Sequence, residues 1–272
     1  MAEDRSFPPH ALERLAGLRR EGHPSGVFTS DFSVNEFLLV RKAGFEPIGL
    51  CVGSCIYRMG VQFTRLSSSV ELTVLSTAMY EARALAMERM RAEARQMGAD
   101  GIVGVRLTVK RAEWDAKVLE FVAIGTGVVH AGGHPGFKGP GGEPFTSALT
   151  GQDFWTLLKS GYRPLEMVMG SCVYHVAWRG PLQSLMSVGQ NVELTNYSIA
   201  LYEARELAME RMQLEATKAG AEGVIGSDLH EGNHGWSAHT IEFFAIGTAV
   251  LPLQGASSQD IPDPQFVLSV NG

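Results

Sequence analysis

The chain repeats itself, and this duplication constrains its fold more than any other feature of the sequence. Residues Phe28-Thr29-Ser30 return as Phe145-Thr146-Ser147, displaced by 117 positions. Farther along, residues 71–104 align with residues 193–226, and 21 of these 34 aligned positions are identical. Two copies of one small module therefore account for most of the 272 residues, a length that suits two domains.

The composition of the remaining segments predicts where the two modules begin and end. Residues 132–144 are rich in glycine and proline, as linkers are. We therefore predict module 1 at residues 28–131 and module 2 at residues 145–253. Residues 1–27 should form a helical extension because their leucines recur at helical spacing. The small and polar residues 254–272 predict a flexible tail.

Each copy predicts the same series of elements. A capping-box pattern, Ser33 with Glu36 and Thr150 with Asp153, opens a short helix in each. An apolar segment bounded by glycine and proline then predicts a buried strand. A helical apolar period over residues 76–97 predicts a long helix, and β-branched runs after it predict a strand pair. The predicted class is α+β: two modules, each a small antiparallel sheet packed by one long helix plus a short N-terminal helix.

Residues 80–104 and 121–128 carry motifs that resemble the YbjQ family of bacterial proteins. The motifs are Tyr-Glu-Ala-Arg, Ala-Met-Glu-Arg and Gly-Ala-Asp-Gly, followed by Phe-Val-Ala-Ile-Gly-Thr-Gly-Val. Residues 202–226 and 243–250 repeat this pattern. The resemblance implies a dodecin-like α+β module, assembly into homopentameric rings and the label of a heavy-metal-binding domain. It implies no defined biochemical activity.

The duplication limits which rings such modules can form. A ring of five modules cannot close from whole two-module chains, because five is odd. We expect a homo-oligomer of five chains that form two stacked module rings, with each copy in a ring of its own kind. Three chains in a pseudo-six-fold ring and a monomer with two packed modules are the alternatives.

Charge and hydropathy exclude several classes of partner. The net charge is −6, and the 23 Lys and Arg residues are scattered, which argues against nucleic acid and anionic membranes. The apolar runs are too short to span a bilayer, and the first residues have no signal-peptide pattern. Three cysteines are too few for a disulfide framework. We therefore expect a cytoplasmic protein that binds neither nucleic acid nor a membrane.

Polar positions that are kept in both copies are candidates for structural or interface roles. They include a tyrosine and an arginine of the long helix and a glutamate of the last strand: Tyr80, Arg83 and Glu120 in the first copy, and Tyr202, Arg205 and Glu242 in the second. A partly buried charge without a partner is costly. We therefore expect an ion pair between an arginine and a glutamate of this set, within or across subunits.

The cysteines are weak candidates for a soft-metal site. Cys51 and Cys55 would lie about 13 Å apart along an extended strand, too far to share one ion directly. The second copy repeats only one of the two positions, as Cys172. We therefore interpret the three thiols as buried strand residues.

The histidines of the second copy are another weak candidate for a metal site. His230, Glu231, His234 and His239 cluster around a glycine-containing turn, and imidazoles bind zinc, copper or nickel. The first copy has no histidine in this region. A solvated loop is the preferred interpretation, so we predict no cofactor other than, at most, a soft or borderline divalent metal.

No sequence pattern predicts catalysis. Ser54 and Cys55 are the candidate nucleophiles within a motif, but their apolar neighbours indicate a strand core. Gly125-Thr126-Gly127 lacks the lysine of a phosphate loop. We predict a non-enzymatic, self-assembling scaffold or binding protein. A heavy-metal or small-ligand binder is the alternative, and an enzyme with a site between subunits is a third possibility.

Overall fold

The computed structural model describes most of both modules. It covers residues 8–18, 27–60, 68–115, 117–133, 135–177, 195–232 and 239–253. The predicted tail, parts of the N-terminal extension and His234 lie outside the described residues.

Module 1 contains the predicted elements and one additional short strand. A helix of the N-terminal extension, α1 (Pro9–Gly17), precedes them. The elements of module 1 are α2 (Val34–Lys42), β1 (Phe45–Arg58), β2 (Val70–Glu71), α3 (Thr73–Met97), β3 (Gly101–Arg111) and β4 (Val118–His130).

Module 2 repeats the two helices and the three long strands of this series after the linker, but its short strand comes first. The linker contains two short 3-10 turns, at Pro135–Phe137 and Pro140–Gly142. The elements of module 2 are β5 (Phe145–Ser147), α4 (Gly151–Lys159), β6 (Tyr162–His175), α5 (Thr195–Lys218), β7 (Gly223–Gly232) and β8 (Thr240–Pro252).

Each sheet includes one short strand from the other module. The sheet of module 1 has the order β1-β4-β3-β5, and the sheet of module 2 has the order β2-β6-β8-β7. The three longer strands of each sheet are antiparallel, which confirms the predicted α+β class. In contrast, β5 pairs with β3 in parallel, and β2 pairs with β6 antiparallel. The sequence did not predict these exchanged strands, because two or three residues are too few to show a period.

The short helices begin at the predicted caps. Ser33 Oγ accepts a hydrogen bond from the Glu36 N–H at 3.3 Å, and the Glu36 carboxylate accepts one from the Ser33 N–H at 2.7 Å. Thr150 Oγ1 accepts from the Asp153 N–H at 3.1 Å. The shorter Asp153 side chain accepts from the Thr150 hydroxyl at 2.7 Å. The full capping box is therefore formed in module 1 only, because aspartate lacks the reach of glutamate.

Helix α3 lies between the two sheets. On one side it packs on β1 and β4, where Gly53 allows close approach because a Cβ there would overlap the Ala86 carbonyl oxygen. On the other side Met167 and Val173 of β6 join the same apolar cluster. Helix α5 packs on β6 and β8, but Tyr202 on its outer side is 59% exposed. The layers therefore alternate as sheet, helix, sheet and helix.

No helix within the described residues is both long enough and apolar enough to cross a membrane.

Candidate assembly interface

The two modules meet in what we call the internal interface. Module 1 contributes the outer side of α3 and the edge of β3. Module 2 contributes β5, α4 and the outer face of β6 and β8. The internal interface combines a buried ion pair, a set of flanking polar contacts and a pair of aromatic rings.

A buried ion pair lies in the internal interface. Arg83 Nη1 and Nη2 donate to the two oxygens of Glu242, at 2.6 and 3.1 Å, and both side chains are 2% exposed. The Ser171 hydroxyl donates to Glu242 at 2.8 Å and accepts from Arg83 at 3.1 Å. The Arg83 guanidinium also lies 3.7 Å from the centre of the Phe244 ring. This bidentate geometry compensates for desolvation, so losing either partner would leave a buried charge unpaired.

Further polar contacts join the modules around this pair. Arg211 donates to both oxygens of Glu71, at 2.7 and 3.0 Å. Burial opposes ionisation of Glu71, but hydrogen bonds from Arg211 and Ser76 outweigh it and lower the pKa of this carboxyl. The Tyr80 hydroxyl donates to Glu215. Burial, and then this hydrogen bond, raise the pKa of the Tyr80 phenol. Each module therefore supplies polar side chains that pair with side chains of the other module.

Phe145 and Phe154, which we call the buried plug, fill a groove in module 1. Their rings stack with centroids 5.8 Å apart, and both are 0% exposed. Phe45 and Val103 belong to the same cluster. The Phe145 ring covers Gly101 so closely that a Cβ on that glycine would overlap the ring. Glycine at this position therefore allows β5 and its ring to reach the edge of β3.

The second copy of the predicted ion pair is not formed inside the chain. Glu120 is exposed on β4. Arg205 lies on the outer side of α5, pairs with its neighbour Glu206 at 2.8 Å, and is 37% exposed. Its Nε is buried and has no hydrogen-bond partner among the described residues. The repeated arginine and glutamate positions thus form one buried pair, Arg83 with Glu242, and leave one residue of each type near the surface.

The cysteines are buried thiols in the strand cores. None of the three, all of which are described, forms a disulfide. Cys51, Cys55 and Cys172 are at most 2% exposed. Burial raises the pKa of Cys51 and of Cys172 to about 12. Both thiols therefore stay protonated near neutral pH, which makes them poor nucleophiles and poor metal ligands.

The histidine turn is only partly described. His230 and Glu231 are exposed on β7, and His230 Nε2 lies 3.1 Å from the Asp228 carboxylate. His239 lies just before β8, and His234 is outside the described residues. Within the described ranges, no three His, Cys, Asp or Glu side chains come together to hold a metal ion. A metal site at this turn stays a prediction.

Sequence reasoning missed two components of the internal interface. The buried plug was not identified, although the repeated phenylalanine at positions 28 and 145 was a signal: it is kept outside the long predicted elements. Ser171 is the counterpart of Ser54, whose apolar neighbours indicate only a strand core. Its role depends on Arg83 from the other module, which no local pattern reveals.

Comparison with known proteins relates both modules to one family. The sequence profile of the YbjQ family, described as "Putative heavy-metal-binding", matches residues 49–131 and again residues 161–252. The chain belongs to the YbjQ family. Each match covers most of one module, so this member of the YbjQ family carries the family domain in tandem.

Two relatives of this YbjQ-family chain differ in length. An encapsulin nanocompartment protein of Mycobacterium tuberculosis is 45% identical over 266 residues, and the alignment covers 98% of each chain. A UPF0145 protein of Acinetobacter baylyi is 36% identical over 102 residues, which are 37% of this chain and 89% of that protein. The first relative shares the two-module length, whereas the second has the length of one module.

Proposed function

We propose that this YbjQ-family protein is a non-enzymatic scaffold that assembles from copies of itself by repeating the internal interface between chains. The observation that carries the proposal is that only one of the two repeated arginine–glutamate pairs forms inside the chain. Arg83 and Glu242 are paired and buried, whereas Arg205 and Glu120 occupy the matching positions at the two outer surfaces. A contact between Arg205 of one chain and Glu120 of the next would complete the repeat.

The edge of β3 is already occupied inside the chain, and this limits how several chains can be arranged. If each module joined a ring of its own kind, this edge in one chain would receive residues 28–30 of another chain. Inside the chain the same edge is already paired with β5. This occupancy favours the ring in which three chains place six modules side by side over the two stacked rings of five that the duplication first suggested. We therefore propose a three-chain ring.

The similarity to a named relative supports a structural role. The Mycobacterium tuberculosis relative is named as an encapsulin nanocompartment protein. By this similarity we propose that the ring of YbjQ-family modules works as a component of, or a partner for, a protein compartment in the cytoplasm. The buried thiols of Cys51 and Cys172, which stay protonated near neutral pH, are poor candidates for a catalytic nucleophile. Heavy-metal or small-ligand binding stays the alternative prediction.

Native mass spectrometry of the untagged protein tests the assembly. We expect a main species of three chains, each of 29.4 kDa. A five-chain mass would support the stacked rings instead. A single-chain mass at micromolar concentration would contradict the proposal, because neither outer surface would then have a partner.

Charge reversal tests the ion pair that carries the proposal. Arg205→Glu and Glu120→Arg should each weaken the contact between chains by at least about 2 kcal/mol, because like charges would meet in it. The double variant Arg205→Glu/Glu120→Arg should restore the wild-type mass. Glu113→Arg, in the exposed turn between β3 and β4, is the matched control and should leave the mass unchanged.

A further inference from the structure

We infer that a second copy of this chain docks its Phe28–Ser30 segment and Phe37 against β7. The contact would copy the one that Phe145–Ser147 and Phe154 make with β3 inside the chain. This inference rests on the proposed self-assembly and names the surfaces that carry it. We call Phe28 and Phe37 the free plug.

The free plug has the geometry of the buried plug without its cover. The rings of Phe28 and Phe37 are stacked with centroids 5.8 Å apart and planes at 9°, against 5.8 Å and 16° in the buried plug. Phe28 is nevertheless 47% exposed, whereas its counterpart Phe145 is 0% exposed. Large aromatic rings held in a fixed exposed pair are characteristic of binding surfaces.

The backbone of the free plug is held in place by its own module. Thr29 Oγ1 accepts a hydrogen bond from the Leu50 N–H at 3.4 Å, as Thr146 Oγ1 accepts one from the Met167 N–H at 2.8 Å. The Phe28–Ser30 segment therefore occupies the position in module 1 that β5 occupies in module 2. It belongs to no strand of the described sheets, whereas β5 is paired with β3.

Module 2 carries an open groove that matches the one filled by the buried plug. The groove has a volume of about 780 Å³ and runs between α4 and β7. Five of its lining residues have a counterpart in the cluster around the buried plug. These lining residues are Leu149, Leu157, Tyr162, Ile225 and Val250.

Two matching glycines show the difference between the filled and the open groove. A Cβ on Gly101 would overlap the ring of Phe145, whereas a Cβ on Gly223 would meet nothing within 4 Å. The edge of β3 beside Gly101 is paired with β5, while β7 is an outermost strand of its sheet. Among the described residues the groove and the strand edge are therefore open together, as one extended segment with a leading aromatic ring requires.

The ion-pair positions indicate that the occupant is a second copy. Inside the chain, Arg83 lies on the side that offers the groove, and Glu242 lies on the side that offers the plug. The free surfaces repeat this arrangement, with Arg205 in module 2 and Glu120 in module 1. Plug and groove are different surfaces, so the contact is head-to-tail and leads to a closed ring or a filament.

Not every contact of the internal interface is copied at the free surfaces, because the Arg91–Glu166 ion pair has Gln213 and Gly49 at the matching positions. Glu215 accepts from Tyr80 of the other module, but the matching Glu93 already accepts from Arg14 of α1 at 2.7 Å. Helix α1 therefore covers part of the surface next to β1.

Two variants test the groove and the free plug separately. Gly223→Leu places a side chain where the ring of Phe28 would lie, and Gly223 has neither a positive φ nor a close neighbour, so the chain should fold normally. Phe28→Ser/Phe37→Ser removes the free plug. Each should weaken assembly at least about 100-fold and leave single chains at micromolar concentration. Gly60→Leu, also at an open glycine, is the matched control and should keep the wild-type mass.

Mixing the two variants tests the head-to-tail direction. The Gly223→Leu chain keeps its plug, and the Phe28→Ser/Phe37→Ser chain keeps its groove. An equimolar mixture should therefore form a two-chain species in native mass spectrometry, with one chain of each kind. Neither variant alone should form it. Failure of the mixture to form this species would overturn the inference.

The outcomes also separate this inference from the proposed function. If the wild type is oligomeric and Gly223→Leu keeps the same mass, the docking inference is wrong and self-assembly stands. If the wild type is a single chain, self-assembly itself is wrong. If Phe28→Ser/Phe37→Ser does not fold, the mass of Gly223→Leu against Gly60→Leu decides the question alone.

Discussion

The internal interface and the two outer surfaces of the chain share an arginine, a glutamate and two phenylalanines at matching positions, yet those of the internal interface are buried and those of the outer surfaces are more exposed. The difference follows from connectivity. Two modules joined by a short linker meet at a high effective concentration, so their contact forms within every chain. The same contact between chains depends on protein concentration. A duplicated chain of this kind resembles two neighbouring subunits of a ring fused into one.

The largest expected difference between the two regions concerns their arginines. In the Gly223→Leu background, which keeps chains apart, Arg83→Ala should lower the free energy of unfolding by about 3–5 kcal/mol, because Glu242 would stay buried without its partner. Arg205→Ala in the same background should change it by less than about 0.5 kcal/mol. Urea unfolding measures both values. Equal losses would show that the Arg83–Glu242 pair stabilises the fold no more than Arg205 does.

The two aromatic plugs should also differ in their contribution to stability, and the buried plug should contribute more. In the Gly223→Leu background, Phe145→Ala should lower the free energy of unfolding by about 3 kcal/mol, because it opens a cavity against Gly101. Phe28→Ala should lower it by less than about 1 kcal/mol, since half of that ring is already exposed. Thermal unfolding monitored by circular dichroism gives the ranking. A larger loss for Phe28→Ala would contradict the proposed distinction.

Acid should weaken the internal interface through Glu71. Its folded-state pKa is lowered, so the ionised carboxylate stabilises the fold above its unfolded pKa of about 4.3. This contribution is lost as the pH falls through the folded-state pKa. Glu71→Gln should therefore be less stable than the wild type near neutral pH, and the difference should vanish in acid. Glu210→Gln, at an exposed position of α5, serves as the control in urea unfolding at several pH values.

The smallest expected difference between the modules concerns the reactivity of their thiols, which should be equally low in both. A thiol with a pKa of about 12 is only about one part in ten thousand ionised at pH 8, so iodoacetamide should label neither Cys51 nor Cys172 in the folded protein. Mass spectrometry of the labelled chain measures the extent of reaction. Rapid labelling of Cys172 alone would show that the core between β6 and α5 opens in solution.

The sequence predicted the elements that carry their own periodic signal. The α3 helix and the β1 strand are long, and the duplication supported each prediction twice. The strands β2 and β5 were missed because they exist only where the edge of the other module lies beside them. The repeat also identified Arg83 and Glu242 as candidates, but it left several pairings possible. Which pairing forms depends on the position of one module against the other, and no local pattern contains that information.

The central claim is that the contact between chains copies the internal interface, and a cryo-EM structure of the assembled particle tests it most directly. We expect the ring of Phe28 to cover Gly223 of the next chain, as Phe145 covers Gly101, and Arg205 to pair with Glu120. A particle in which Phe28 faces solvent, or in which β7 pairs with a different segment, would contradict the claim.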